Sequence, residues 1–275
     1  MKIKNIIILS IVFMFLTNAF SQESDYSSIA VYYEVSFKSD STDMDFVSND
    51  LMVLYVGDRK SKFRNFYQVQ GDSLLQIAKD KGMSPNEVIP FMNQVPKPKM
   101  SYAITKDWEN KKYEFSDLIF PDYFVFESPL GEEDWQIIDE HDEINGYKIQ
   151  KAVTNYAGRE FEAWFTEEIS ISDGPYVFGN LPGLILKIND TKGHYNFEMI
   201  RIEKKIESLS HNIKRKPIKT TRSKFFEMQY DFNTNVVGKM ASGGVTLTDA
   251  NQARDVQKRF DRKNNPLELV VDTDF

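Results

Sequence analysis

Apolar and polar residues alternate along most of the chain, and this period of two is typical of β-strands. Residues 159–166 show the pattern clearly, because Phe161, Ala163 and Phe165 share one face. Further short runs are rich in β-branched and aromatic residues. These runs are residues 28–37, 50–56, 60–67, 100–106, 112–117, 123–128, 135–139, 147–155, 184–189 and 194–203. Short loops join them, so the pattern predicts antiparallel meanders.

Two stretches break the alternation and favour helices. In residues 72–93 the apolar positions have helical spacing, Gly82 suits a helix C-terminus, and Ser84 followed by Pro85 starts a second helix. Residues 222–263 form the other helical region. A sheet of about ten strands usually curls or splits. The sequence therefore predicts an α+β single domain dominated by a curved, mostly antiparallel, open-barrel-like β-sheet with a few helices packed on it.

Composition narrows the classes of protein. The chain of 275 residues has no cysteine, which excludes disulfide scaffolds and thiolate metal sites. Its aromatic content of 13% suits a β-rich core. The formal net charge of −7 argues against nucleic acid as a partner.

Residues 1–21 are typical of a cleaved export signal. Lys2 and Lys4 precede an apolar run at residues 6–16, and small residues follow at the expected cleavage positions. We predict cleavage between Ser21 and Gln22. The run is shorter than the roughly 20 residues of a membrane-spanning helix. Residues 22–275 are then expected to form one domain, with no transmembrane helix after maturation.

The motif GNLPGLI at residues 179–185 is the most informative local pattern. Proline followed by glycine predicts a type II turn, with Pro182 at its second position and Gly183 at its third. With GYK at 146–148, GR at 158–159, AWF at 163–165, GPY at 174–176 and NP at 265–266, this motif makes the chain resemble the GLPGLI family of Bacteroidetes. The resemblance implies an exported envelope protein, often associated with outer-membrane uptake systems, without an established activity.

A second resemblance lies in the first helical region. The residues YQVQGDSLL at 67–75, with Gly82, Ser84, Glu87 and Asn93, are similar to a LysM peptidoglycan-binding module. The spacing departs from that pattern by one residue before Gly71 and one before Asn93. The alternative interpretation is a helical insertion that starts at Asp72.

The residue types that carry catalysis are sparse. His141, His194 and His211 lack the spacing of metal ligands, and the sequence contains no phosphate-binding loop and no nucleophile motif. The acidic residues 132–143 are predicted to form a solvated loop, since they lack the register of a calcium site. We therefore predict no catalytic residues, no metal and no cofactor.

A small binding site remains as a hypothesis. Its candidate residues are Arg159, Trp164, Leu181, Pro182 and Gly183. Tryptophan offers a stacking face and arginine a rigid fork of donors. In the alternative, structural interpretation, Trp164 packs under the loop and Arg159 pairs with a carboxylate such as Glu162 or Asp173.

These observations favour a periplasmic binding or accessory protein over an enzyme, with the concave face of the sheet as its ligand site. The alternatives are a structural docking partner of an outer-membrane uptake complex, an uncharacterised hydrolase that uses carboxylates, and a LysM-like contact with peptidoglycan through residues 67–93. The expected partners are an outer-membrane transporter or envelope protein, and a small apolar or peptide ligand. The expected location is the periplasm or the outer membrane, with secretion as an alternative.

Overall fold

The computed structural model describes residues 26–210 and 216–269. It confirms the predicted fold class, because a large, curved, mostly antiparallel sheet carries a few helices. The strands of the sheet are β1 (Ile29–Phe37), β2 (Ser48–Val56), β3 (Lys60–Asn65), β4 (Ala103–Asp107), β5 (Lys112–Ile119), β6 (Asp122–Pro129), β7 (Gln136–Ile144), β8 (Tyr147–Tyr156), β9 (Arg159–Thr166), β10 (Leu184–Asp190), β11 (Tyr195–Lys204) and β12 (Ile218–Lys219).

The described helices are α1 (Phe66–Asp80), α2 (Pro85–Met92), α3 (Arg222–Thr234), α4 (Val236–Ser242) and α5 (Ala250–Asp261). Helix α1 begins six residues before the predicted start at Asp72. The reason is a cap, because the Asn65 side chain accepts hydrogen bonds from the backbone N–H groups of Tyr67 and Gln68. Helix α2 begins as the sequence predicts, with Ser84 and Glu87 in a capping box.

The sheet consists of two meanders joined at their ends. Its strand order is β12-β6-β5-β4-β3-β2-β1-β11-β10-β9-β8-β7. Strand β1 pairs with both β2 and β11 in antiparallel fashion, so it joins the N-terminal meander to the C-terminal one. The short β12 is parallel to β6. Residues distant in sequence therefore share one curved surface.

Ring contacts reveal how strongly the sheet curves. Phe63 on β3 and Phe197 on β11 are separated by two strands, so in a flat sheet the distance between their strands alone would be about 14 Å. Their ring centroids are only 6.3 Å apart. The sheet therefore curls towards the face that carries these rings, which we call the inner face.

The inner face holds the main core, and it is filled. The loop between β9 and β10 contributes Tyr176, Phe178 and Leu181, and α3 contributes Phe225; all four side chains are buried there. The expectation of an open concave face for a ligand is thus wrong. The aromatic side chains of the inner face are stabilised by burial against other apolar groups, and the loop between β9 and β10 and helix α3 supply these groups.

The outer face carries a second, smaller apolar cluster. Tyr32 and Val53 belong to it, and Phe66 and Val69 of α1 pack against it. Among the described residues, no helix is long and apolar enough to cross a membrane. The predicted export signal, with its cleavage site at Ser21 and Gln22, lies outside the described residues.

Candidate functional site

A set of charged and indole side chains lies where the loop between β9 and β10 meets β4. We call it the tryptophan cluster, and it comprises Lys106, Trp108, Glu133, Trp135 and Asp173. Lys106 takes an inner-face position two residues after the buried Ile104. A lysine at such a position needs a partner, because an unpaired charge is costly in the core.

Asp173 is that partner. Lys106 Nζ donates to Asp173 Oδ1 at 2.5 Å, and both side chains are almost fully buried. Lys106 also donates to the backbone oxygens of Gly174 (2.6 Å) and Phe178 (3.2 Å). Burial lowers the pKa of Lys106, and the charge of Asp173 opposes this shift. The ion pair therefore joins β4 to the loop between β9 and β10 across the inner face.

The two tryptophans hold the same loop through their indole N–H groups. Trp108 Nε1 donates to Asp173 Oδ2 at 3.1 Å, and Trp135 Nε1 donates to the backbone oxygen of Gly179 at 2.9 Å. A Cβ on Gly179 would lie 2.3 Å from the Trp108 ring, so any other residue would displace this indole. Both indoles are only partly buried, which leaves part of each exposed.

The Pro-Gly turn differs from the type II turn that the motif predicts. The left-handed residue is Asn180 (φ 60°), while Gly183 lies outside the left-handed region. The Gly183 N–H donates to the oxygen of Leu181, which closes a three-residue turn around Pro182. A Cβ on Gly183 would lie 1.9 Å from the backbone oxygen of Thr166. Glycine is therefore required by close packing of two backbone segments.

Glu133 is the chemically unusual member of the cluster. Its Oε2 atom is buried and has no hydrogen-bond partner among residues 26–210 and 216–269. Burial raises the pKa of Glu133 to about 7, with smaller upward contributions from Glu132 and Asp173. The Glu133 backbone N–H and the charge of Lys106 act in the opposite direction. Such a carboxyl can accept or donate a proton near neutral pH.

Glu133 was missed by the sequence analysis, which treated residues 132–143 as a solvated loop. Six of the eleven residues 132–142 are acidic, and acidic residues give no apolar pattern from which buried and exposed positions could be told apart. Glu132 and Asp134 are indeed exposed, whereas Glu133 points inward. Trp135, two residues later, was the only local signal of an inward-facing register.

Arg159 is placed elsewhere, at the start of β9 on the inner face. It pairs with Asp190 at 2.9 Å, so the proposed partners Glu162 and Asp173 were wrong. It also donates to Asn265 Oδ1 (2.7 Å) and to the backbone oxygens of Pro266 and Leu267. Its guanidinium is buried, and it fastens the C-terminal segment to the sheet.

Trp164 lies on the opposite face of β9 from Arg159. Lys151 Nζ lies 5.7 Å from the centroid of its indole, and the side chain is half-buried. It packs against the main core, which includes buried residues of the loop between β9 and β10, and it lies on the other face of β9 from Arg159, so the two side chains do not form one site. Leu181, which is buried, and the neighbouring Pro182 and Gly183 belong to the loop that the tryptophan cluster holds.

Comparisons with known proteins match one family model to part of the chain and find similar folds among solved structures. The family model described as "N-glycanase peptide, N-terminal domain" matches residues 97–230. Two solved structures of PNGF-II, in space groups C2 and P21, are similar to this chain at 16% and 17% sequence identity. They cover 73% and 74% of this chain, with TM-scores of 0.49 and 0.50. The comparison with curated proteins found no match.

This chain spans about a third of the length of the PNGF-II structures, since it covers 32% and 33% of them. At this identity the likeness of the second structure concerns the fold alone. The matched residues 97–230 contain every member of the tryptophan cluster and the whole GNLPGLI motif.

The resemblance to the GLPGLI family is therefore wrong. The matching family model is an N-glycanase N-terminal domain, and its residues 97–230 include every motif of the resemblance except the Asn-Pro pair at 265–266. The physical reason is local, because Gly179 and Gly183 are each required by a close approach of neighbouring atoms.

The leading functional prediction, a binding or accessory protein without catalytic activity, is also wrong, because the matched domain is named after an enzyme. The docking-partner alternative has no support in the comparisons. The LysM-like alternative fails on geometry, since residues 67–73 lie inside α1.

Proposed function

We propose that this protein has an N-glycanase-type function and hydrolyses the amide bond that joins an N-linked glycan to asparagine. The observation that carries this proposal is the match of residues 97–230 to an N-glycanase domain, a segment that contains Glu133 and its cluster. The tryptophan cluster is then the site of the reaction.

The surroundings of the cluster suit a sugar. The partly exposed indoles of Trp108 and Trp135 offer apolar faces on which a pyranose ring packs. The exposed amide of Asn180 and the exposed carboxylate of Asp134 lie along the same loops and can bind hydroxyl groups. A glycan needs both kinds of contact, since its rings have apolar faces and polar edges.

In the proposed reaction Glu133 transfers the proton. Its carboxylate takes a proton from water, and the water oxygen bonds to the amide carbonyl carbon. The carbon–nitrogen bond then breaks, and Glu133 returns the proton to the leaving nitrogen. A pKa of about 7 suits both steps near neutral pH, because each protonation state is well populated.

The test uses the full chain and a purified N-glycopeptide. Mass spectrometry measures free glycan and the conversion of the peptide's asparagine to aspartate. Glu133→Gln should lower the rate by about a hundredfold or more. Glu132→Gln is the matched control, because Glu132 is the exposed neighbour and its replacement should leave the rate unchanged.

Two results separate the function from its site. If the wild-type chain releases no glycan, the proposed function is refuted. If it releases glycan and Glu133→Gln does so at the same rate, the function stands and the assignment of Glu133 fails.

We further propose that the protein acts after export, in the periplasm or at the outer membrane. The support is the signal pattern of residues 1–21. Cell fractionation with detection of the full-length and shortened chains tests this location. Retention of the uncleaved chain in the cytoplasm contradicts it.

A further inference from the structure

A groove lies on the outer face of the sheet, away from the tryptophan cluster. Its volume is about 420 Å³, and α1, the segment after α2, and the segment after β11 surround it. The rings of Tyr32 and Tyr55 form its buried floor. Phe66 packs edge-on against Tyr32, with ring centroids 5.3 Å apart. We call it the outer groove.

The polar lining of the outer groove consists of groups that both donate and accept hydrogen bonds. Gln70, Ser73 and Gln94 line it and are exposed. A primary amide carries two donors and one acceptor oxygen, and a hydroxyl can do either. A peptide backbone offers one donor and one acceptor per residue. The apolar wall next to these groups, with Val69 and Val95, suits an aliphatic side chain.

One end of the groove carries a cation and an anion side by side. Lys205 and Glu207 both line it, whereas Ile206 between them is 78% exposed and points away. Neither charge has an ion-pair partner within 4 Å among the described residues. Side chains two positions apart in an extended segment lie about 7 Å apart. The two Cα atoms of a dipeptide are about 3.8 Å apart, and its ammonium and carboxylate groups lie beyond them at either end. The distance between its charged ends is therefore close to the spacing of Lys205 and Glu207.

We propose that the outer groove binds a short peptide with apolar side chains and free ends, of the size of a dipeptide. Lys205 binds its carboxylate, Glu207 binds its ammonium group, and the glutamine amides bind its peptide bond. A sugar fits less well. The Tyr32 and Tyr55 rings are only 3% and 1% exposed, and Arg201 and Phe66 contact the Tyr32 ring, so little aromatic surface remains on which a sugar ring could stack.

Calorimetric titration of the full chain with the dipeptide Leu-Leu tests the proposal. We expect saturable binding at one site, weakened about tenfold by Lys205→Gln and by Glu207→Gln, because each removes a charged hydrogen-bond partner. Lys204→Gln is the matched control and should bind as the wild type does, since Lys204 is exposed and does not line the groove. Val95→Trp, which fills the groove, should abolish binding.

Three outcomes overturn the proposal. The first is the absence of saturable binding of Leu-Leu. The second is equal affinity for N-acetyl-Leu-Leu-amide, which has no charged ends. The third is unchanged affinity in both charge variants. The first outcome includes the case in which an N-acetylglucosamine disaccharide binds and Leu-Leu does not. Circular dichroism of each variant confirms that the fold is intact.

Discussion

The charge of Glu133 should make the protein less stable as the pH rises. Burial raises the pKa of this carboxyl from 4.5 to about 7 in the folded state. Between these two values the folded chain binds more protons than the unfolded chain, so the free energy of unfolding falls with increasing pH. Below pH 4.5 the carboxyl is protonated in both states. Above pH 7 it is ionised in both states, and the full free-energy cost of burying the charge then lowers the stability of the folded state.

The structure sets the size of this effect. A shift of this size corresponds to roughly 3 kcal/mol at 1.36 kcal/mol per pH unit. Part of the Glu133 side chain is exposed, and solvent screening reduces the cost to about 1–3 kcal/mol. Glu133→Gln keeps the shape and removes the charge. The variant should therefore be about 1–3 kcal/mol more stable than the wild type at pH 8, and the difference should fall below about 1 kcal/mol at pH 5.

Urea unfolding at pH 5 and pH 8 measures this difference. Glu132→Gln serves as the control, because the exposed Glu132 carboxylate should change stability by less than about 0.5 kcal/mol at either pH. If Glu133→Gln and the wild type lose stability in parallel between pH 5 and pH 8, then Glu133 is ionised at low cost. That result would refute both the buried environment of its carboxyl and its near-neutral pKa.

Three further predictions concern the loops around the site. Lys106→Met should cost about 3–5 kcal/mol in urea unfolding, because it leaves the buried Asp173 unpaired; an additional Asp173→Asn should restore part of the loss, and a double variant as unstable as the single one contradicts the pairing. Arg159→Lys keeps the charge but loses the fork, so limited proteolysis should cut residues 264–269 faster than in the wild type; an unchanged cleavage rate argues against this anchor. Gly183→Ala should cost more than about 2 kcal/mol through its clash with Thr166, whereas Gly71→Ala in α1 should stabilise by about 0.5–1 kcal/mol because its Cβ meets only Met92 Cε at 3.4 Å; similar effects of the two substitutions on the melting temperature would contradict the packing argument.

Most elements of the fold follow from local patterns. The alternation of Phe161, Ala163 and Phe165 places β9 on the sheet with the correct face inward, and all three side chains are buried. Ser84 and Glu87 mark the start of α2 because a capping box depends only on neighbouring residues. The start of α1 was harder to predict, since the capping residue Asn65 is also the last residue of β3 and no loop separates the strand from the helix.

The candidate site could not be assembled in the same way. Lys106, Glu133 and Asp173 are separated by 27 and 40 residues, and they meet only because the sheet curls and the loop between β9 and β10 crosses its inner face. The Pro-Gly motif was recognised, but its role was misjudged. Gly183 is required because a side chain there would collide with the backbone oxygen of Thr166, a residue outside the motif.

The sequence by itself determined the strand-rich class, the antiparallel order of neighbouring strands and the absence of cysteine chemistry, because these depend on composition and on contacts between adjacent segments. The tertiary structure decided which face of the sheet is covered by other elements, which carboxyl group is largely buried and where a groove remains. Burial of a charge is a property of its whole surroundings. Glu132 and Glu133 are identical neighbours in the chain, and only the fold makes one a solvated charge and the other an acid with a pKa of about 7.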